Sequence, residues 1–194
     1  MSGEIIRLKT STKKSKKEKV AWGITGSGDR IIDTIEMMKK IKEQHQVNID
    51  LYVYLSKAGE QVLKYYKKLT ELNKDFKIYK EIDSNTPFLA GQIQTRKFKF
   101  LLIAPATSNT IAKISLGITD TLLTNAAAMA LKAFVPIYVM PSDFEEGIVH
   151  TKLPNGKFLK LRIRKTDADH VKRLCEMEDV YVLRNPDEIY NIPW

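Results

Sequence analysis

Five consecutive apolar residues, Phe100-Leu-Leu-Ile-Ala104, run into Pro105 and then into the short polar residues Thr107, Ser108 and Asn109. An unalternating apolar run of this length reads as a strand buried on both faces. Pro105 has no N–H to donate and is expected to stop the ladder. Thr107, Ser108 and Asn109 are each a candidate N-cap for a helix starting near Thr110. A strand that ends in a polar cap and feeds a helix leaves a crevice at its carboxyl end, where open α/β sheets bind ligands. Past the break at Gly117, a second polar run from Thr119 to Asn125 leads into Ala126-Ala-Ala-Met-Ala130. Small side chains there would let a flat ligand approach the backbone. The plainer alternative is two ordinary capped helices.

The flanking chain repeats the same alternation. Val20 to Thr25 reads as a first strand, followed by Gly26-Ser27-Gly28-Asp29 and a helix with Ile31, Ile35, Met38 and Ile41 at helical spacing. A glycine turn before a helix offers N–H groups and a positive helix end to a phosphate. Many such turns carry glycines for steric reasons alone. Ile49 to Leu55 is a second strand, and Ser56 opens a helix with Val62, Tyr66 and Leu69 on one face. Ser56 is either an N-cap or a second phosphate ligand. Phe76 to Ile82 reads as an edge strand, Thr86 to Lys97 as a short helix, and Val135 to Met140 as another buried strand ended by Pro141.

Ile148 to Leu153 and Lys157 to Ile163 flank Pro154-Asn155-Gly156, a hairpin turn signal. Asp167 or Asp169 is expected to cap a helix through Met177, Val180 to Leu183 to form a last strand, and Asn185 to start a short helix with Pro186 in its first turn. Strands alternating with helices imply a Rossmann-like (flavodoxin-like) doubly wound α/β fold. Its sheet is mostly parallel, with a projecting C-terminal β-hairpin. The expected organisation is a basic, solvated and disordered arm over 1–19 and one domain over 20–194.

Composition narrows the function classes. The 194 residues suit a single core, and no apolar run approaches a membrane span. The lysine-rich N-terminus is not a secretory signal. The single cysteine, Cys175, excludes an internal disulfide framework or an all-cysteine cluster within one chain and makes a reducing, cytoplasmic setting the default; a packing role is expected for it. His45, His150 and His170 stand in no metal-ligand spacing, so no metal site is expected. Surface roles suit His45 and His170, whereas His150 on the hairpin could face a pocket. Trp22 and Tyr52 sit within strands and are expected to fill the core. The net charge of +9 favours acidic partners, but no aromatic-interleaved basic motif speaks for nucleic acid.

Ala104-Pro-Ala-Thr-Ser-Asn-Thr-Ile-Ala-Lys-Ile, followed by Gly117-Ile-Thr-Asp-Thr-Leu-Leu-Thr124, resembles the signature of the homo-oligomeric flavin-containing cysteine decarboxylases. That group includes the flavin prenyltransferases and archaeal flavoproteins known as dihydromethanopterin reductase (acceptor). The resemblance implies FMN as cofactor, with its phosphate near Thr25, Gly26, Ser27, Gly28 and Ser56. The ring would lie against Ala104, Pro105, Ala106, Thr107, Ser108 and Asn109 and against Thr124, Asn125 and Ala126. It also implies a trimer or dodecamer with FMN at subunit interfaces.

Departures from the family narrow the reaction. Gly91, in Pro87-Phe-Leu-Ala-Gly91, stands where the decarboxylases carry a catalytic histidine, and Pro141-Ser-Asp-Phe-Glu-Glu-Gly147 replaces their Pro-x-Met-Asn-x-x-Met-Trp clamp. Decarboxylation of a peptidyl cysteine is therefore not expected. Asn125 and Met140-Pro-Ser-Asp143 likewise depart from the prenyltransferase pattern. No catalytic residue is assigned, because a flavin carries its own redox chemistry. The resemblance implies an FMN-dependent oxidoreductase passing electrons from an acidic ferredoxin-like donor to a pterin such as dihydromethanopterin. The alternatives are a non-catalytic FMN electron carrier, a flavin prenyltransferase- or cysteine decarboxylase-like enzyme, and a nucleotide-binding module without flavin. The hairpin's Lys152, Lys157, Lys160, Arg162 and Arg164 would form the donor's docking face or a lid, or else pack on a neighbouring subunit.

Overall fold

The computed structural model describes residues 17–194. Six parallel strands form one sheet: β1 (Glu18–Ile24), β2 (Ile49–Leu55), β3 (Lys77–Lys80), β4 (Leu101–Ala106), β5 (Ile137–Pro141) and β8 (Val180–Val182). Their spatial order is β3-β2-β1-β4-β5-β8. Numbered within the sheet alone this is 3-2-1-4-5-6, the Rossmann order, which reverses direction between the first strand and the fourth. The crevice for a ligand therefore lies where β1 and β4 end side by side.

Helices cover both faces, as β4 makes plain. All six of its residues are buried, and the first four alternate between two cores. Leu101 and Ile103 join the cluster under α4 (Leu89–Gln94), α5 (Ser108–Ser115), α6 (Leu122–Lys132) and α7 (Lys165–Cys175). Leu102 and Ala104 join the cluster under α1 (Ile31–His45), α2 (Lys57–Tyr65), α3 (Leu69–Asp75) and the terminal 3-10 turn Pro186–Asn191. Ile31, Ile35, Met38 and Ile41 are all buried along α1, as their spacing predicts. Trp22 is fully buried and stacks on Trp194, 5.9 Å between ring centroids.

Several boundaries differ from expectation. β1 begins at Glu18, so Glu18 and Lys19 pair with Ile49 and Asp50 rather than belonging to an arm. Residues 1–16, where the rest of that expected arm falls, lie outside the described residues. Pro105 does not end the ladder. Its own carbonyl accepts the Thr25 N–H at 3.2 Å, and the register with β5 resumes at Ala106 opposite Pro141 after a shift. The single helix expected after Ser56 is two: α2 stops at Tyr65 and Lys67 takes a left-handed φ of 57° before α3. Leu63, not Val62, is fully buried there. Asp167 does not begin α7 but stands in its first turn, where its carboxylate accepts the backbone N–H of Arg164 at 3.2 Å. Tyr52 is only partly buried, and Cys175 is exposed, so neither fills the core as expected.

The hairpin is a separate antiparallel pair, β6 (Gly147–Lys152) and β7 (Phe158–Ile163). Gly156 supplies the positive φ of 82° that its turn requires. Its base is held by the buried Ile163, and nearer the turn the Thr151 hydroxyl lies 3.5 Å from a carboxylate oxygen of Asp29. Phe158, Leu159 and Leu161 remain exposed along it. No helix among the described residues is long and apolar enough to cross a membrane.

Candidate functional site

Thr25 joins the two strand ends at the point where the sheet order reverses. Only 2% exposed, it donates through Oγ1 to the Pro105 carbonyl at 2.9 Å and accepts the Thr107 N–H at 2.8 Å. Its hydroxyl is thus consumed in alignment and is not offered to a ligand. Thr107 is the N-cap of α5, accepting from Thr110 N at 3.3 Å, which settles the choice among the three candidates. Ser108 starts the helix and gives its hydroxyl hydrogen to Asp143, while Asn109 is exposed. Ala104, Pro105 and Ala106 are buried and contribute backbone: the Ala104 carbonyl takes the Trp22 indole N–H at 2.9 Å.

The glycine loop and α2 are pressed together. A Cβ on Gly26 would stand 2.6 Å from that of Ala58, and one on Gly59 would stand 2.4 Å from the Ile24 carbonyl oxygen. Only glycine lets the loop and the start of α2 meet this closely. Ser56 caps α2, its Oγ accepting from Gly59 N at 2.9 Å. That bond uses a lone pair and leaves the hydroxyl's own hydrogen to donate. Beside it, α1 opens after Arg30, which has a left-handed φ of 55° and makes no side-chain cap. Ser27, within the glycine loop, is 7% exposed. The α1 N-terminus without a side-chain cap, Gly26, Gly28, Ser27 and the spare Ser56 hydrogen together make a cradle of donors, the chemistry a phosphate requires, with the Asp29 carboxyl at its edge.

The second polar run starts α6 with a capping box. Thr121 Oγ1 accepts from Thr124 N at 3.3 Å, and Thr124 Oγ1 from Thr121 N at 3.1 Å. Thr124 and Ala126 are buried; Asn125 turns its amide toward the Ser84 carbonyl at 2.9 Å and Asn85 Oδ1 at 3.1 Å. What this turn presents is a smooth backbone surface rather than free polar side chains. The site residues expected from sequence therefore converge on one end of the sheet. Ser27, Ser56 and the glycines keep free donors, whereas Thr25, Ser108, Thr124 and Asn125 are spent on neighbours.

Two residues passed over in the sequence also face this end. Asp29 follows the glycine loop and Asp143 follows β5, positions the strand-end rule would have singled out. Burial pushes the Asp29 carboxyl above its ordinary range, Arg30 beside it pulls the other way, and Asp143 and Asp33 add to the rise. A cavity of about 340 Å³ opens between these strand ends and the hairpin base, lined by Asp29, Arg30, Pro141, Ser142, Val149 and Ile163. His150 is exposed on the hairpin. His45 lies beside Trp194, and His170 Nδ1 is 2.8 Å from the Ser115 hydroxyl on the opposite side of α5. No group of three or more His, Cys, Asp or Glu residues among the described residues could hold a metal.

A six-stranded parallel sheet of Rossmann order with a donor cradle at its switch point defines an α/β protein built to hold a phosphorylated, nucleotide-like ligand. Residues 8–184 match the Flavoprotein family, and the chain belongs to it. It is 46% identical over 175 residues to an uncharacterized protein of Methanocaldococcus jannaschii, spanning 90% of this chain and 93% of that one. It is 31% identical to the dihydromethanopterin reductase (acceptor) of the same organism, over 88% of this chain and 94% of the relative. Burkholderia xenovorans DmrB in complex with FMN, described as a cubic protein cage for redox transfer, superposes with a TM-score of 0.77 at 34% identity, covering 91% of this chain and 93% of that one.

Proposed function

We propose that this protein is an FMN-dependent oxidoreductase that reduces a pterin such as dihydromethanopterin with electrons from an acidic, ferredoxin-like donor. One observation carries the reading: a long helix without a side-chain cap at its N-terminus follows a Gly-Ser-Gly loop, packed against the Ser56-capped start of α2, at the switch point of a Flavoprotein-family sheet. The relative named dihydromethanopterin reductase supports the substrate class.

In this account Gly26, Ser27, Gly28 and Ser56 donate to the FMN phosphate, while Thr25 holds β1 and β4 in register beneath it. Ala104 to Asn109 and the Thr124–Ala126 turn flank the ring. Bound FMN would supply the electron and hydride transfer. The protein's part is to orient the ring, to exclude water with buried apolar backbone on two sides, and to leave the 340 Å³ cavity under the hairpin for a second planar molecule. That volume lies within the usual range for small-ligand pockets of about 300–1,000 Å³. A homo-oligomer, as a trimer or dodecamer, would complete the flavin's outer face, and DmrB's description as a cage supports assembly.

The reading is tested on the purified protein, by absorption spectra taken before and after acid release of any chromophore. The expected result is a yellow protein that releases FMN and takes it up again. A colourless chain that binds no added FMN would contradict it.

A further inference from the structure

We propose that Glu81 is a positioning residue that locks the N-termini of α2 and α6 together and, through its charge, holds the potential of a flavin seated beside them low. The proposal rests on the FMN reading above. Glu81 follows β3, and its own N–H is anchored on the Leu55 carbonyl at 2.9 Å. One carboxylate oxygen accepts the Lys57 N–H of α2 at 2.9 Å, and the other accepts the Leu122 N–H of α6 at 2.7 Å. Ser56, which caps α2, and the Thr121–Thr124 box, which starts α6, lie immediately beside those two donors. One side chain thus spans the gap between the phosphate side of the site and the ring side.

The chemistry goes beyond capping. A neutral acceptor could satisfy either N–H, and each helix already has a Ser or Thr cap of its own. A carboxylate adds a full negative charge, and no lysine or arginine among the described residues forms a salt bridge with it. Two electrons enter a flavin with one proton or two, so reduction that takes up fewer protons than electrons leaves the ring more negative. A fixed anion next to the ring opposes that form and favours the oxidised one.

Two variants separate the charge from the hydrogen bonds. Glu81→Gln keeps one acceptor and loses the charge; Glu81→Asp keeps the charge on a shorter reach. Midpoint potentials of the FMN-bound proteins are measured by equilibration with reference dyes, alongside FMN dissociation constants. In Glu81→Gln the reduced-to-oxidised ratio at a given solution potential should rise about tenfold, equal to roughly 30 mV for a two-electron couple. FMN affinity should stay within about threefold, and Glu81→Asp should keep the wild-type potential. An unmoved potential in flavin-bound Glu81→Gln overturns the proposal. So does a Glu81→Gln protein that no longer holds FMN while Glu81→Asp does, because the charge would then serve binding and not tuning. Loss of FMN from both variants reduces Glu81 to a structural clamp and equally overturns the tuning. A wild-type protein that binds no FMN sinks the functional reading itself, a result distinct from all three.

Discussion

Ser27 lies in the loop that follows β1, and Ser56 follows β2, the strand paired with it. Ser56 spends a lone pair on Gly59 N and keeps its hydroxyl hydrogen to donate, and Ser27 belongs to the glycine loop itself. Replacing both with glutamate sets anions against a dianionic phosphate. At an effective dielectric of about 20, unit charges about 4 Å apart interact by about 4 kcal/mol, close to a thousandfold in Kd. Fluorescence titration should find that loss in a double mutant whose circular dichroism matches wild type; undiminished FMN binding would place the phosphate elsewhere. The caps Ser56 and Thr107 were legible in sequence because capping is local, closing within three residues. Glu81 was not legible: its partners stand 24 and 41 residues away, and only the fold brings the two helix starts to one carboxylate. The spent state of Ser108 was hidden for the same reason, since Asp143 is 35 residues distant.

At the scale of elements, the strands were readable because a strand buried on both faces has few sequences open to it, and the Pro-Asn-Gly turn announced the hairpin. The helix break at Lys67 was not readable, because a lysine in the left-handed region carries no local signature. The start of α7 was misplaced because Asp167 works from inside the first turn, reaching back to Arg164 backbone and guanidinium, the latter at 2.7 Å. Hydrogen bonds and charge from Arg164 hold the Asp167 carboxyl below its usual range, with burial opposing them and His170 adding a smaller pull downward. A depressed folded pKa contributes stability above the unfolded value of about 3.9, which is lost as pH falls through the lower folded value. Asp167→Asn should therefore destabilise by about 1 kcal/mol near neutral pH. The difference from wild type should close as pH drops below the carboxylate range, as read by urea denaturation at several pH values. A penalty that persists undiminished at low pH would exclude the ion pair as its source. On the hairpin, Lys152, Lys157, Lys160 and Arg162 are all exposed. If they guide an acidic donor, changing Lys152, Lys160 and Arg162 to glutamate should slow flavin reduction by a ferredoxin about tenfold at low salt, and rising salt should erase the difference. Stopped-flow traces with equal rates in both proteins would instead leave the hairpin to a neighbouring subunit.

Across the whole molecule, the same sequence logic that identified the sheet could not identify its order. The 3-2-1-4-5-6 arrangement comes from which strand ends meet, above all from Thr25 pinning β1 to β4 through an 80-residue separation. That order puts every polar turn of interest on one rim and leaves the lysine-rich hairpin beside it. A chain with a net charge of +9 and a donor-lined rim has the electrostatics to draw both an acidic redox protein and a phosphorylated cofactor to the same end. On the proposed function, electrons leave this rim for a pterin. Under anaerobic conditions, the FMN-bound protein is reduced to completion with a ferredoxin and mixed in a single turnover with dihydromethanopterin, following flavin absorbance and the pterin product together. The expected result is reoxidation of the flavin with one tetrahydromethanopterin formed per flavin. A flavin that stays reduced in the presence of the pterin, yet passes electrons readily to a second redox protein, would contradict it.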